Sequence, residues 1–170
     1  LMAIAGTVLG VGVLVALAIP GPRARVRAVL AGQGPALAWL VATIATLGSL
    51  YLSEVAHFTP CRLCWFQRVA MYPLVVVLGI GALRRDRGVR LPGLVLAGLG
   101  LAVNVWHLAI EVRPSLEGGS CDPFNPCSLR WVEALGFWTI PRMATVAFAL
   151  IILALAADAG RTSPSEESSP

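Results

Sequence analysis

Four cysteines stand in two close pairs, Cys61 and Cys64 as a C-x-x-C and Cys121 and Cys127 as a C-x5-C. Spacings this short serve either dithiol-disulfide exchange or metal ligation, and four cysteines in 170 residues are too few for a small secreted disulfide scaffold. The first pair lies in Thr59-Pro60-Cys61-Arg62-Leu63-Cys64-Trp65-Phe66-Gln67-Arg68. Pro60 suits a helix entry, which puts both cysteines in the first turn, where unpaired N–H groups and the positive dipole end favour a thiolate. The thiolate is the reactive form, so the placement makes the pair competent for exchange. Arg68 follows Cys64 by four residues, one helical turn along the same face. Its cation can stabilise a thiolate and the charge developing on an acceptor being reduced; the alternative is an arginine snorkelling to lipid phosphate. The second pair sits in Gly118-Gly119-Ser120-Cys121-Asp122-Pro123-Phe124-Asn125-Pro126-Cys127, a turn-rich segment. Alone it reads as a static structural disulfide. Opposite a C-x-x-C it allows electrons to pass from pair to pair by exchange.

The elements that must carry these pairs follow from composition. Hydrophobic residues make up 57% and charged residues 13%, with a mean hydropathy of +0.79; average soluble domains carry about 25% charged residues. A soluble domain is excluded. All thirteen cationic residues are arginine, giving a formal charge of +4, but they are scattered between apolar runs rather than clustered as a nucleic-acid surface requires. A membrane-spanning helix needs about 20 mostly apolar residues. Five stretches qualify: 1–20, 36–56, from 64 or 65 to 83, 91 to about 110, and 140–157, with Arg68 and Arg142 near the starts of the third and fifth. The chain thus reads as an all-α integral membrane protein, a four-helix transmembrane bundle plus an extra N-terminal span at 1–20. Residues 158–170, rich in Ser, Pro and Glu, read as a disordered cytoplasmic tail.

Arg23, Arg25 and Arg27 fall between the first two spans, and Arg84, Arg85, Arg87 and Arg90 between the third and fourth. The positive-inside rule makes both loops cytoplasmic, so residues 57–60 and 113–139, with all four cysteines, lie at or beyond the outer face. There, close cysteine pairs persist as disulfides. After Cys127, the spacing of Leu129, Val132 and Leu135 predicts a short amphipathic interfacial helix, anchored by Trp131, Phe137 and Trp138. His107 and Glu111 are ionisable residues in a span, either functional or hydrogen-bonded to each other. The glycines at 93, 98 and 100 read as helix-packing positions.

The run Ser49-Leu50-Tyr51-Leu52-Ser53-Glu54, followed by Pro60-Cys61-Arg62-Leu63-Cys64-Trp65-Phe66-Gln67-Arg68-Val69-Ala70-Met71-Tyr72-Pro73, resembles the disulfide bond formation protein B family (DsbB, and BdbC in Gram-positive bacteria). Cys121 to Cys127 and Gly136-Phe137-Trp138-Thr139-Ile140-Pro141 resemble its BdbC branch. The likeness covers 36–157, the four-helix redox domain. It implies a bundle in the cell membrane that reoxidises an extracytoplasmic, DsbA-type thioredoxin-like thiol oxidase and passes the electrons to ubiquinone or menaquinone. Carried over by position, Cys121 forms the mixed disulfide with the partner, Cys127 is its disulfide mate, Cys61 attacks Cys127, and Cys64 faces the quinone with Arg68 beside the ring. Two departures stand out: the extra span at 1–20, and Gln67 where some members carry an acid.

Rival readings remain on the residues alone. In vitamin K epoxide reductase-like enzymes the loop cysteines precede the C-x-x-C, the reverse of the order here. An exporter of thiol reductant needs cysteines in the spans or at the inner face. A non-catalytic protein could use the four cysteines as thiolate ligands of a structural zinc ion.

Overall fold

A computed structural model of the chain describes residues 32–119, 121–132 and 138–157. Four helices in it are long and apolar enough to cross a membrane. Helix α1 covers Gly34–Leu50 and runs on as a π-helical turn, Tyr51–Val55. Helix α2 covers Arg62–Arg84, α3 Arg90–Val112 and α4 Ile140–Ala157. These match the second to fifth expected spans with ends shifted by a residue or two. The expected span at 1–20 and the tail at 158–170 lie outside the described residues.

The connections after α1 and α2 are only a few residues long, so consecutive helices run antiparallel. Each packs on its neighbours in the chain, and α1 closes the ring against α4. The C-terminal ends of α1 and α3 therefore share one end of the bundle with the N-terminal ends of α2 and α4. Every cysteine belongs to that end, and the arginines at 84, 85, 87 and 90 belong to the other.

Small residues let the helices approach. Ala38, Ala42 and Ala97 are fully buried beside Leu74, Leu78, Phe148, Ile151 and Leu155. A Cβ added at Gly100 would lie 2.3 Å from the Phe148 ring, and one at Gly93 would lie 3.0 Å from Leu78 and Leu155. These two glycines bear out the packing role expected of them, whereas a Cβ at Gly98 meets nothing. Among the core residues, Asn104 Nδ2 donates to the Pro141 carbonyl at 3.1 Å, tying α3 to the first turn of α4. Leu40, Ile44, Leu47, Val69, Val76 and Leu99 point outward, the apolar exterior expected of a bundle whose solvent is lipid. The chain is a multi-pass membrane protein.

One local expectation is not met over the part of it that is described. Residues 128–132, the described start of the predicted interfacial helix, form turns and irregular backbone; residues 133–137 lie outside the described residues. The physical reason is that other groups take the partners a helix would use. Glu117 accepts the Cys127 N–H and, at 2.9 Å, the Ser128 hydroxyl, while Arg130 is drawn to the Glu111 carboxylate at 3.4 Å.

Candidate redox site

Helix α2 begins at its first cysteine. Cys61 is the N-cap, with extended backbone (φ −70°, ψ 171°), and its sulfur accepts the Cys64 N–H at 3.3 Å. An N-cap side chain accepts an otherwise unpartnered N–H of the first turn, a task usual for Ser, Thr, Asp or Asn oxygen. Here sulfur does it, which places Cys61 where the positive end of the dipole acts. The two sulfurs lie 2.7 Å apart, adjacent as disulfide exchange requires. The Cys61 thiol is lowered from 9.0 to about 5 by the hydrogen bond from the Cys64 thiol and then by His107, against an opposing effect of burial.

Cys121 and Cys127 are joined as a disulfide. Together with Cys61, Leu63 and Ile110 they form one buried cluster at the cysteine-bearing end of the bundle. The segment between the two half-cystines is a fixed turn. Asp122 Oδ1 accepts the Phe124 N–H at 2.9 Å and the Asp122 carbonyl accepts the Asn125 N–H at 3.1 Å. Asn125 Nδ2 then donates to the Pro60 carbonyl at 3.1 Å, fastening the loop to the residue just before the first pair. Phe124 is left 98% exposed at the tip.

The structure thus brings Cys61, Cys64, Cys121 and Cys127 together, as the sequence suggested, and places Arg68 differently from a snorkelling arginine. Its Nε donates to Ser49 Oγ and its Nη2 to the Ser49 carbonyl, both at 3.0 Å, and the guanidinium lies 5.2 Å from the centre of the Trp65 ring. The charge remains within electrostatic reach of the Cys64 sulfur. His107 and Glu111, considered as a mutual pair, instead face different partners. His107 bonds Gln67 and the Cys127 carbonyl, each at 3.0 Å. Glu111 accepts the Thr139 hydroxyl at 2.8 Å and pairs with Arg130 and Arg142, each at 3.4 Å.

Sequence reasoning missed Ser49, Glu117 and Asn125 as site-building residues. Ser49 stands in the motif run but nothing in its neighbours announces that it holds Arg68 across a helix interface. A four-thiolate zinc site does not fit this arrangement: with Cys121 and Cys127 bonded to each other, their sulfurs are not thiolate ligands. A quinone does fit the residues present. Cys64 is half-buried where Cys61 is buried, Trp65 and Phe66 are exposed beside it, and the guanidinium keeps N–H groups beyond those given to Ser49.

The family model described as "Disulfide bond formation protein DsbB" matches residues 31–158. The chain is 42% identical over 119 residues to the probable disulfide formation protein of Oceanobacillus iheyensis, covering 69% of this chain and 82% of that one. It is 44% identical over 116 residues to disulfide bond formation protein C of Bacillus subtilis, covering 68% and 84%. No solved structure matches it. A protein with two adjacent cysteine pairs at one end of a four-helix membrane bundle, and with this likeness along three quarters of its length, belongs to the DsbB family of disulfide-forming oxidoreductases.

Proposed function

We propose that the protein is a thiol:quinone oxidoreductase that reoxidises an extracytoplasmic, DsbA-type thioredoxin-like thiol oxidase. The observation that carries this reading is that the Cys121–Cys127 disulfide and Cys61, at the start of α2, belong to one buried cluster. Two pairs gathered at one end of the bundle can relay electrons, whereas a structural disulfide has no need of a thiolate-favouring C-x-x-C beside it. The seven arginines at 23, 25, 27, 84, 85, 87 and 90 support a topology with the cysteines on the extracytoplasmic side of the cell membrane.

The transfers balance as follows. A partner thiolate attacks Cys121 Sγ, the Cys121–Cys127 bond breaks and Cys127 leaves as a thiolate. The partner's second thiol then displaces Cys121, which departs as a thiol while the partner becomes a disulfide. The step between the pairs runs opposite to the attack expected from the resemblance, because Cys61 in an oxidised Cys61–Cys64 pair has no thiolate to attack with: the released Cys127 attacks Cys61, forming the Cys61–Cys127 bond and releasing Cys64 as a thiolate. Cys121 attacks Cys127, which restores the outer disulfide, frees Cys61 and leaves two electrons on the inner pair. A bound quinone supplies a diffusible acceptor of two electrons and two protons. Arg68 holds its charge beside Cys64, Trp65 offers an aromatic face, and the N-cap position keeps Cys61 as the thiolate.

The test mixes the protein, its Cys121–Cys127 disulfide intact, with a reduced thioredoxin-like oxidase whose second active-site cysteine is replaced by serine. The remaining thiolate attacks Cys121, Cys127 leaves as a thiolate, and with no second oxidase thiol to displace Cys121 the mixed disulfide should accumulate, detectable by non-reducing electrophoresis and peptide mass. A bond to Cys61 or Cys64 instead would contradict the order of transfer.

A further inference from the structure

His107 is 3% exposed, and the relay above gives it no part. An imidazole buried without partners costs several kcal/mol, so its bonds need an account. Both come from groups that bear on the cysteines. Nε2 lies 3.0 Å from the Cys127 carbonyl oxygen and 3.9 Å from Cys61 Sγ; Nδ1 lies 3.0 Å from Gln67 Nε2. A carbonyl only accepts, so the hydrogen is on Nε2. Nδ1 is then the acceptor, and the Gln67 amide is the donor that fixes this tautomer. One N–H therefore faces the backbone of one pair and the sulfur of the other.

Cys127 is held from both sides by side chains rather than by regular structure. Glu117 takes its N–H and His107 its C=O. Its neighbours in the loop leave it no ladder or helix to sit in, so these two side chains set where its sulfur stands relative to Cys61.

We propose that His107, oriented by Gln67, is a positioning residue for transfer between the cysteine pairs: its Nε2–H holds the Cys127 carbonyl against Cys61 so that the Cys61–Cys127 bond can form. This rests on the relay under Proposed function.

The test uses the full chain with Cys64→Ser and Cys121→Ser, which leaves Cys61 and Cys127 as the two thiols. Purified in detergent, it is equilibrated with mixtures of reduced and oxidised glutathione, quenched with acid and alkylated, and the joined fraction is read by mass spectrometry. Oxidised glutathione takes the two electrons, so the ratio gives the effective concentration of one thiol for the other. Adding His107→Phe should lower that concentration at least tenfold, and His107→Gln, whose side-chain N–H reaches the same carbonyl, should restore part of it. An unchanged value in His107→Phe overturns the proposal. Should His107→Phe lose its helical circular dichroism, His107→Gln is compared with the shorter His107→Asn: a value kept in the first and lost in the second supports positioning, and any other pattern overturns it. No quinone or partner enters this assay. A chain that shows the tenfold effect yet never reduces a quinone contradicts the proposed function alone.

Discussion

The two cysteine pairs share one buried cluster, yet they are built in opposite ways. The inner pair belongs to a helix. Cys61 caps α2, Cys64 follows in its first turn, and the fixed cation Arg68 lies one turn on, clamped by Ser49. Every nearby influence on Cys61 other than burial favours the thiolate. The outer pair belongs to a turn, cross-linked through its own disulfide, braced by Asp122 and Asn125, and set against the carboxylate of Glu117. Stabilising a thiolate stabilises the reduced form of its pair and makes the disulfide a stronger oxidant. From this contrast, electrons should run from the turn to the helix.

The largest effect expected from breaking this asymmetry is the loss of the helix pair itself. Cys64→Ser should lower quinone-dependent oxidation of a protein thiol by on the order of 1000-fold, because a reactive sulfur is removed rather than weakened. Steady-state assays in detergent or proteoliposomes would show it. Next comes the potential difference. With Cys61 lowered from 9.0 to about 5, its reduced form gains on the order of 100-fold at neutral pH, about 60 mV for a two-electron couple. Each pair studied alone, with the other replaced by serine, should show the inner pair as the more oxidising in glutathione buffers. Equal potentials would remove the basis of the comparison.

The pH dependence sharpens it further. Because the Cys61 value is depressed, its thiolate persists as pH falls and is lost only near pH 5. Between pH 8 and 6, its alkylation rate should therefore stay within about twofold, whereas an ordinary thiol slows nearly tenfold per unit. Arg68→Ala should raise the apparent KM for quinone by about tenfold, with Arg68→Lys intermediate, since lysine keeps the charge but not the planar fork that meets Ser49. The smallest redox effect belongs to the frame. Gly100→Ala puts a Cβ into the Phe148 ring and should cost about 1–3 kcal/mol of stability, read as a lowered Tm, while the pairs keep their order of potential.

Much of the frame was legible in the chain, for a physical reason: lipid makes hydrophobic length a direct code for a span, and α4 begins and ends where charge and hydropathy placed it. The C-x-x-C was legible as well, because helix entry and thiolate stabilisation are local matters settled within Pro60 to Arg68. What depends on contact between distant segments was not. The run after Cys127 has helical spacing in its leucines and valine, but Glu117 and Glu111 capture its polar groups first. His107 and Glu111 sit one turn apart on the same face, which suggested a mutual bond; facing helices and loops supplied each with better partners. Ser49 gave no sign of its hold on Arg68, since a serine on an apolar helix reads the same whether or not a cation lies opposite.

If the outer pair, the inner pair and a quinone form one electron path, quinone absorbance and partner disulfide must change together in proteoliposomes containing the purified protein, a reduced thioredoxin-like oxidase and a limiting quinone. About one quinol should form per partner disulfide, with both signals lost in Cys64→Ser. Partner oxidation that continues undiminished without quinone, or in Cys64→Ser, would contradict that path.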